Sequence, residues 1–210
     1  QRFGRIGGHR IKGRCGVAVV DRDTQADQFA HAAGDGARDR LGEAVKASLA
    51  GAEALLLNAV GKEMILRDAL DALRDRYDWI LIDAPPSLGI LTVNILAASD
   101  AVLVPMQCEY YALEGLSQLM KTIELVRRRI NPSLHIQKVL LTMVDNRNKL
   151  TGQVADEVIA HFGDRVSKVQ IPRNVRLSEA PGFGQAAMTL FPDSKGAEAY
   201  RLFVDEVLSA

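Results

Sequence analysis

Cysteine is scarce in this chain: 210 residues hold only two, Cys15 and Cys108. Two thiols so far apart exclude a disulfide framework, and with no third ligand beside them they make no zinc pattern. An excess of one charge sign is also missing, since 26 Lys and Arg balance 26 Asp and Glu. That balance excludes a histone-like polycation and an acidic disordered tail, but leaves room for a local basic face. Long apolar runs are absent too. Segments 79–82 and 101–106 are strand-sized, far below the roughly 20 residues that span a bilayer. Gln1-Arg2-Phe3-Gly4-Arg5 is followed by no apolar stretch, so nothing signals secretion and a soluble cytoplasmic protein is the expectation. What remains, 48% apolar and 25% charged, is ordinary for a globular chain long enough to bury a sizeable core.

The zero net charge hides a split. Residues 1–48 carry nine Lys and Arg against six Asp and Glu, and residues 49–210 carry 17 against 20. The front part has seven Arg to two Lys, dense glycine, and only Phe3 and Phe29 as aromatics. Segment 16–21 reads there as a strand and 41–49 as a possible helix, with too little apolar periodicity elsewhere to hold a core. From Leu55 the pattern sharpens. Strands are expected at 55–59, 79–83, 101–106, 136–144 and 166–171. Helices are expected at 63–76, 93–98, 112–130, 151–162 and 197–208, with Asn131-Pro132 ending the third. Strands apolar on both faces, alternating with helices, predict a doubly wound α/β domain with a mostly parallel sheet and helices on both faces. In that class ligands sit beyond the carboxyl ends of the strands.

The strand ends carry the polar chemistry. Asp83 closes an apolar run and is followed by Pro85-Pro86 and Gly89. A carboxylate there suits a Mg²⁺ shell or a metal-bound water, and equally an N-cap or a solvated strand end. Cys108 lies in Pro105-Met106-Gln107-Cys108-Glu109-Tyr110-Tyr111 without a neighbouring His or Arg, which favours a small buried hydrophobe over a nucleophile. Arg127-Arg128-Arg129 ends a helix, where cations complement the dipole. Two further strand-end loops, Asp145-Asn146-Arg147-Asn148-Lys149 and Ile171-Pro172-Arg173-Asn174-Val175-Arg176, put Arg147, Lys149, Arg173 and Arg176 on one rim. Loop solubility explains single cations better than four together, so phosphate or nucleic-acid contact is the competing reading.

These motifs together resemble the ParA/Soj family of deviant-Walker P-loop ATPases, which segregate chromosomes and plasmids. The residues carrying the likeness are Tyr77 to Gly89, Gln107 to Gly115, Leu141-Thr142-Met143-Val144-Asp145, and Ile171 to Pro181, within about 49–207. The resemblance implies that Asp83 is the Walker B aspartate, acting on magnesium through water. It implies that Pro172, Arg173, Asn174 and Met143 lie at the nucleotide, and that Arg147 and Arg176 bind DNA without sequence preference, with Lys195 beside a usually basic position. ATP and Mg²⁺ follow as ligands, with an ATP-bound homodimer, a ParB-like centromere-binding partner and a nucleoid-associated cytoplasmic location. The last helix lacks the basic amphipathic tail of membrane-binding MinD relatives, which speaks against bilayer attachment.

One family feature is missing. A phosphate loop needs glycine-rich backbone donors, a Lys for the β/γ oxygens and a Ser/Thr for magnesium. Gly7-Gly8-His9-Arg10-Ile11-Lys12-Gly13-Arg14 has no Ser/Thr after its Lys, and no Walker A pattern occurs anywhere in the 210 residues. Val17 to Gln25 echoes the family's Asp-x-Asp-Pro-Gln strand, which would make Asp21 the carboxylate that positions the attacking water. Thr24 stands where the family has Pro, however. We read 1–48 as an anomalous segment, degenerate or frameshifted, joined to 49–210 as the C-terminal part of a ParA-like ATPase domain. Hydrolysis is then impaired, and the sheet beside 79–83 is expected to lose its neighbour. The other reading is a non-enzymatic DNA- or partner-binding module that has lost the nucleotide switch.

Overall fold

A computed structural model describes residues 17–20, 56, 59–71, 73, 74, 77, 79–85, 87–109 and 112–209. In chain order the elements are β1 (Val17–Val20), α1 (Ile65–Asp71), β2 (Leu81–Ala84), α2 (Ile90–Ala98), β3 (Ala101–Gln107), α3 (Ala112–Arg129), β4 (His135–Thr142) and α4 (Lys149–Phe162). After a 3₁₀ turn at Gly163–Arg165 come α5 (Val175–Glu179), a second 3₁₀ turn at Ala180–Phe183, α6 (Ala187–Leu190) and α7 (Lys195–Leu208).

The four strands form one parallel sheet in the order β2-β1-β3-β4. Strand alternation sorts β3 between two cores: Val102, Val104 and Met106 face one, Ala101 and Leu103 the other. The first core is covered by α2, α3 and α4 through Leu96, Ile123 and Val158, the second by α5, α6 and α7 through Leu177, Ala187 and Phe203. Helices on both faces of a parallel sheet are the architecture the alternating pattern predicts. Ile136 and Val139 share a face despite their odd spacing because the β3–β4 register shifts between Val102 and Leu103.

Two buried polar side chains fasten this frame. The Nδ2 of Asn131 donates to the carbonyls of Leu96, Ala97 and Ser99 at 3.1, 3.3 and 2.7 Å, satisfying acceptors that the end of α2 leaves unpaired. Asn94 accepts from the backbone N–H of Leu66 at 3.2 Å and donates to the carbonyl of Lys62 at 2.6 Å, tying the start of α1 to α2.

Three expectations are corrected. At the described residues of the run 55–59 the expected strand is not formed: Leu56 is helical and its carbonyl accepts from Ala59 N–H at 3.1 Å. Three leucines and an alanine, with no β-branched residue among 55–59, favour helix. Segment 166–171 runs beside β4 without becoming a regular strand, touching it through isolated bridges at Val139–Val166 and Val144–Pro172. Between them, the N–H of Val169 is taken by the Ser167 hydroxyl at 3.0 Å, and Pro172 has no N–H to offer. Finally, β2 does not stand without a neighbour, since Val17–Val20 pairs with it in parallel. The possible helix at 41–49 and Cys15 lie outside the described residues.

The edge segment is pinned instead by side chains. Glu206 on α7 accepts from Lys138 Nζ at 2.8 Å, from the Ser167 hydroxyl at 2.6 Å and from Lys168 N–H at 3.3 Å. Burial pushes the Glu206 carboxyl up, but the bonds from Lys138, Ser167 and Lys168 together outweigh it and hold the group below its ordinary 4.5. A depressed carboxylate contributes stability that is full above the unfolded pKa and disappears as pH falls through the folded one. Glu206→Gln is therefore expected to cost about 1–3 kcal/mol at pH 7 and to flatten the acid limb of stability below pH 4.5. Urea titrations of both proteins across that range check it.

Candidate functional site

All four strands point their carboxyl ends to one edge, and the polar loops gather there. Val19 pairs with Asp83, Gln107 with Thr142, and Val144 with Pro172. Crossing from β2 to the Pro172 segment takes four strand spacings, about 19 Å. Asp83 thus stands at one end of the edge and Pro172 at the other.

At the first end, Asp83 is exposed while its neighbour Ala84 is buried. The turn that follows is held by α2: the Thr92 hydroxyl donates to the Ser87 carbonyl at 2.5 Å. Among the described residues no group of three or more His, Cys, Asp or Glu could hold a metal ion. Mg²⁺ does not need one, because it is commonly held by one or two carboxylates, phosphate oxygens and water. A single strand-end carboxylate fits that donor set. The 210 residues provide no Walker A cradle for phosphates, so the fit covers the metal's carboxylate side only. Asp21 lies outside the described residues, as do Tyr110 and Tyr111.

The other end is knitted by backbone. Val144 N–H donates to the Ile171 carbonyl at 3.0 Å, and Arg173 N–H to the Val144 carbonyl at 3.0 Å. Met143 turns the chain out of β4 with φ of +54°, among the described residues the one non-glycine in that region. Such a conformation costs an L-residue about 1–2 kcal/mol, so the surrounding backbone must hold it in place. Met143, Pro172, Arg173 and Asn174 are therefore brought together. Asn174 also works as a helix cap, its Oδ1 accepting from Arg176 N–H at 2.9 Å.

The rim arginines, Arg147 in the loop after β4, Arg173 in the segment before α5 and Arg176 in the first turn of α5, are each in an ion pair. Asp145 takes Arg147 in a fork, with Nε–Oδ1 and Nη2–Oδ2 both 2.9 Å, and also accepts its backbone N–H at 3.1 Å. Hydrogen bonds from Arg147 drive the Asp145 carboxyl down to about 2, so it is charged at any physiological pH. Even so, the Arg147 side chain is 89% exposed. Arg176 reaches Glu179 at 2.7 Å and stacks over the Phe191 ring at 4.7 Å. Arg173 faces Glu109 at the longer distance of 3.6 Å.

Lys195 opens α7 and is exposed. Its neighbour Gly196 packs against Leu177: a Cβ there would lie 2.6 Å from that side chain. Only glycine lets the start of α7, with Lys195, approach the short helix that carries Arg176. Lys149 is likewise exposed, at the first position of α4.

Cys108 is buried in the first core with its thiol pushed up to about 11 by desolvation, which is the inert small hydrophobe expected. Arg127-Arg128-Arg129 forms the exposed last turn of α3, as read from the sequence. Sequence reasoning missed the three carboxylates that face the arginines. Asp145 and Glu179 lie two and three residues from their partners, spacings that permit a local pair. Glu109 is brought to Arg173 by the fold alone. No described helix is long and apolar enough to cross a membrane.

A family model described as an AAA domain matches residues 44–136. The sporulation initiation inhibitor protein Soj of Bacillus subtilis (strain 168) is 54% identical over 159 residues, covering 76% of this chain and 63% of that protein. The chromosome partitioning protein ParA of Caulobacter vibrioides (strain NA1000 / CB15N) is 53% identical over 165 residues, covering 78% and 62%. Among solved structures, cobyrinic acid a,c-diamide synthase from Mycobacterium smegmatis, with bound ADP and magnesium, is similar at a TM-score of 0.63 and 38% identity, covering 77% of this chain and 58% of that one. The chain spans about three fifths of the length of the curated relatives it matches.

Proposed function

Because the chain belongs to the ParA/Soj family of P-loop partition ATPases, we propose that it serves chromosome or plasmid segregation by binding ATP and non-specific DNA. Residues 49–210 are the C-terminal part of the ATPase domain, and 1–48 the anomalous segment. Asp83 would hold Mg²⁺ through water, and Asp21 would be the carboxylate that positions the attacking water. Met143, Pro172, Arg173 and Asn174 would line the base. When bound, the metal would neutralise phosphate charge. The missing cradle leaves hydrolysis impaired in these 210 residues. A ParB-like centromere-binding protein, a family homodimer and a nucleoid-associated cytoplasmic location complete the reading.

The observation that carries it is the placement of Arg147, in the loop after β4, and Arg176, at the start of α5, at the carboxyl edge of the sheet, where the start of α7 with Lys195 packs on α5 through Gly196 and Leu177. Exposed guanidinium groups on one rim match a phosphate backbone, and contacts of that kind carry no base sequence. Arg147→Ala and Arg176→Ala are each expected to weaken binding of a mixed-sequence DNA duplex at low salt. Each should also reduce the slope of log affinity against log salt by about one. Fluorescence anisotropy over a salt series measures both, and unchanged affinity in both variants would refute the DNA reading. The absent Walker A pattern favours one second reading, a DNA- or partner-binding module without a nucleotide switch. DNA binding that ignores Mg·ATP and still depends on the two arginines would select it.

A further inference from the structure

We propose that Asp145 and Glu179 restrain the DNA-binding rim: each is the counter-charge that a DNA phosphate must displace from an arginine, and together they set the affinity. The inference deepens the DNA reading above and rests on it.

The geometry of the Asp145 pair is the geometry of phosphate recognition. Two parallel N–H···O bonds from one edge of a guanidinium are how arginine grips a planar carboxylate or a phosphate. In this chain that edge of Arg147, Nε with Nη2, is already closed on Asp145 at 2.9 Å for both contacts. A phosphate must either open the fork or accept the remaining edge with a carboxylate close by. Glu179 engages Arg176 by a single bond, accepting from Nη1 at Oε2 at 2.7 Å, so a phosphate approaching that guanidinium meets a carboxylate already in place. In addition, the Phe191 ring lies under the guanidinium at 4.7 Å, so Arg176 keeps its place when Glu179 loses its charge.

Neither carboxylate is needed to hold the fold. Glu179 and Arg176 are 41% and 56% exposed, and exposed pairs contribute little to stability. Asp145 does shape its loop by accepting Arg147 N–H at 3.1 Å, but an asparagine Oδ1 accepts the same bond. Asp145→Asn therefore removes the charge and keeps the turn. The Arg173–Glu109 pair, at 3.6 Å with both side chains more than half exposed, is the internal comparison: too long for a hydrogen bond, it should restrain far less.

The test uses the full 210-residue chain and a fluorescent mixed-sequence DNA duplex, titrated by anisotropy over a salt series. Asp145→Asn and Glu179→Gln are each expected to bind about two- to fivefold tighter than the parent, with a salt slope steeper by up to about one. Glu179→Asp, which keeps the charge, should track the parent, and Glu109→Gln should change little. Thermal midpoints close to the parent's would separate charge release from altered folding. If Arg147→Ala weakens binding while Asp145→Asn and Glu179→Gln leave it unchanged or weaker, the restraint is refuted and the DNA reading stands. If neither the parent nor the Asp145→Asn/Glu179→Gln double variant binds the duplex, the DNA reading falls and this inference with it. Binding gained only in the double variant supports the restraint.

Discussion

Phe203→Ala is expected to destabilise the protein by about 3–5 kcal/mol, a large share of the roughly 5–15 kcal/mol that holds a domain folded. Phe203 is 1% exposed and lies in the second core beside Tyr200, Val204 and Val207 of the same helix. Those residues recur at helical spacing and form the face that seats α7 on the sheet. Removing the ring forfeits its transfer energy and leaves a cavity that surrounding strands cannot fill. The consequence reaches the rim, because α7 begins with Lys195 and its Gly196 packs on Leu177, next to Arg176. Urea denaturation should show a midpoint lower by about 1–2 M, for a slope near 2–3 kcal/mol per molar. Leu202→Ala provides the contrast: that side chain is 53% exposed, and its loss should matter by no more than about 0.5 kcal/mol. Equal shifts in the two variants would contradict this account of the second core.

The second core was largely legible in the sequence, because the apolar stripe of α7 and the run in β3 follow simple periods. The parallel sheet with helices on both faces was legible for the same reason. Two boundaries were not. Segment 166–171 reads as a strand by composition, yet the Ser167 hydroxyl captures the Val169 N–H and breaks the ladder. The run around Leu55 is apolar but built from helix formers, and at Leu56 propensity decided the outcome. At the edge of the sheet, the strand-end loops put Arg147, Lys149, Arg173 and Arg176 on one rim, and the structure has them after β4 and around the start of α5. What sequence reasoning missed was the pairing. A charged residue in a motif reads as a ligand for something outside the protein, whereas here each arginine already faces a carboxylate. Arg173 and Glu109 meet only because β3 and the Pro172 segment both flank β4, a relation no local pattern carries. Met143 belongs to the same class: its positive φ lies in the turn that leaves β4, just before Val144 is tied by backbone bonds to Ile171 and Arg173.

The largest expected effect concerns ATP. Phosphoryl transfer depends on positioned donors and charge more than on covalent chemistry, and losing one preorganised donor of this kind costs about 10²–10³ in kcat. A phosphate loop supplies several backbone donors, a lysine and a hydroxyl for magnesium at once. The 210 residues contain no such pattern, while the strand-end carboxylate Asp83 and the Pro172 segment are in place at the edge of the sheet. Nucleotide contacts at the base cannot substitute, since they act far from the reacting phosphorus. The rate should therefore fall to the background of the assay, whatever the remaining groups contribute to binding.

Phosphate release from ATP by the purified 210-residue protein, with Mg²⁺ and beside an Asp83→Ala control, tests the account most directly. Equal rates are expected for the two proteins, both at the level of buffer alone and both indifferent to added DNA. Mg²⁺-dependent turnover in the parent that exceeds the Asp83→Ala control would contradict it, and would place a working phosphate cradle within these residues.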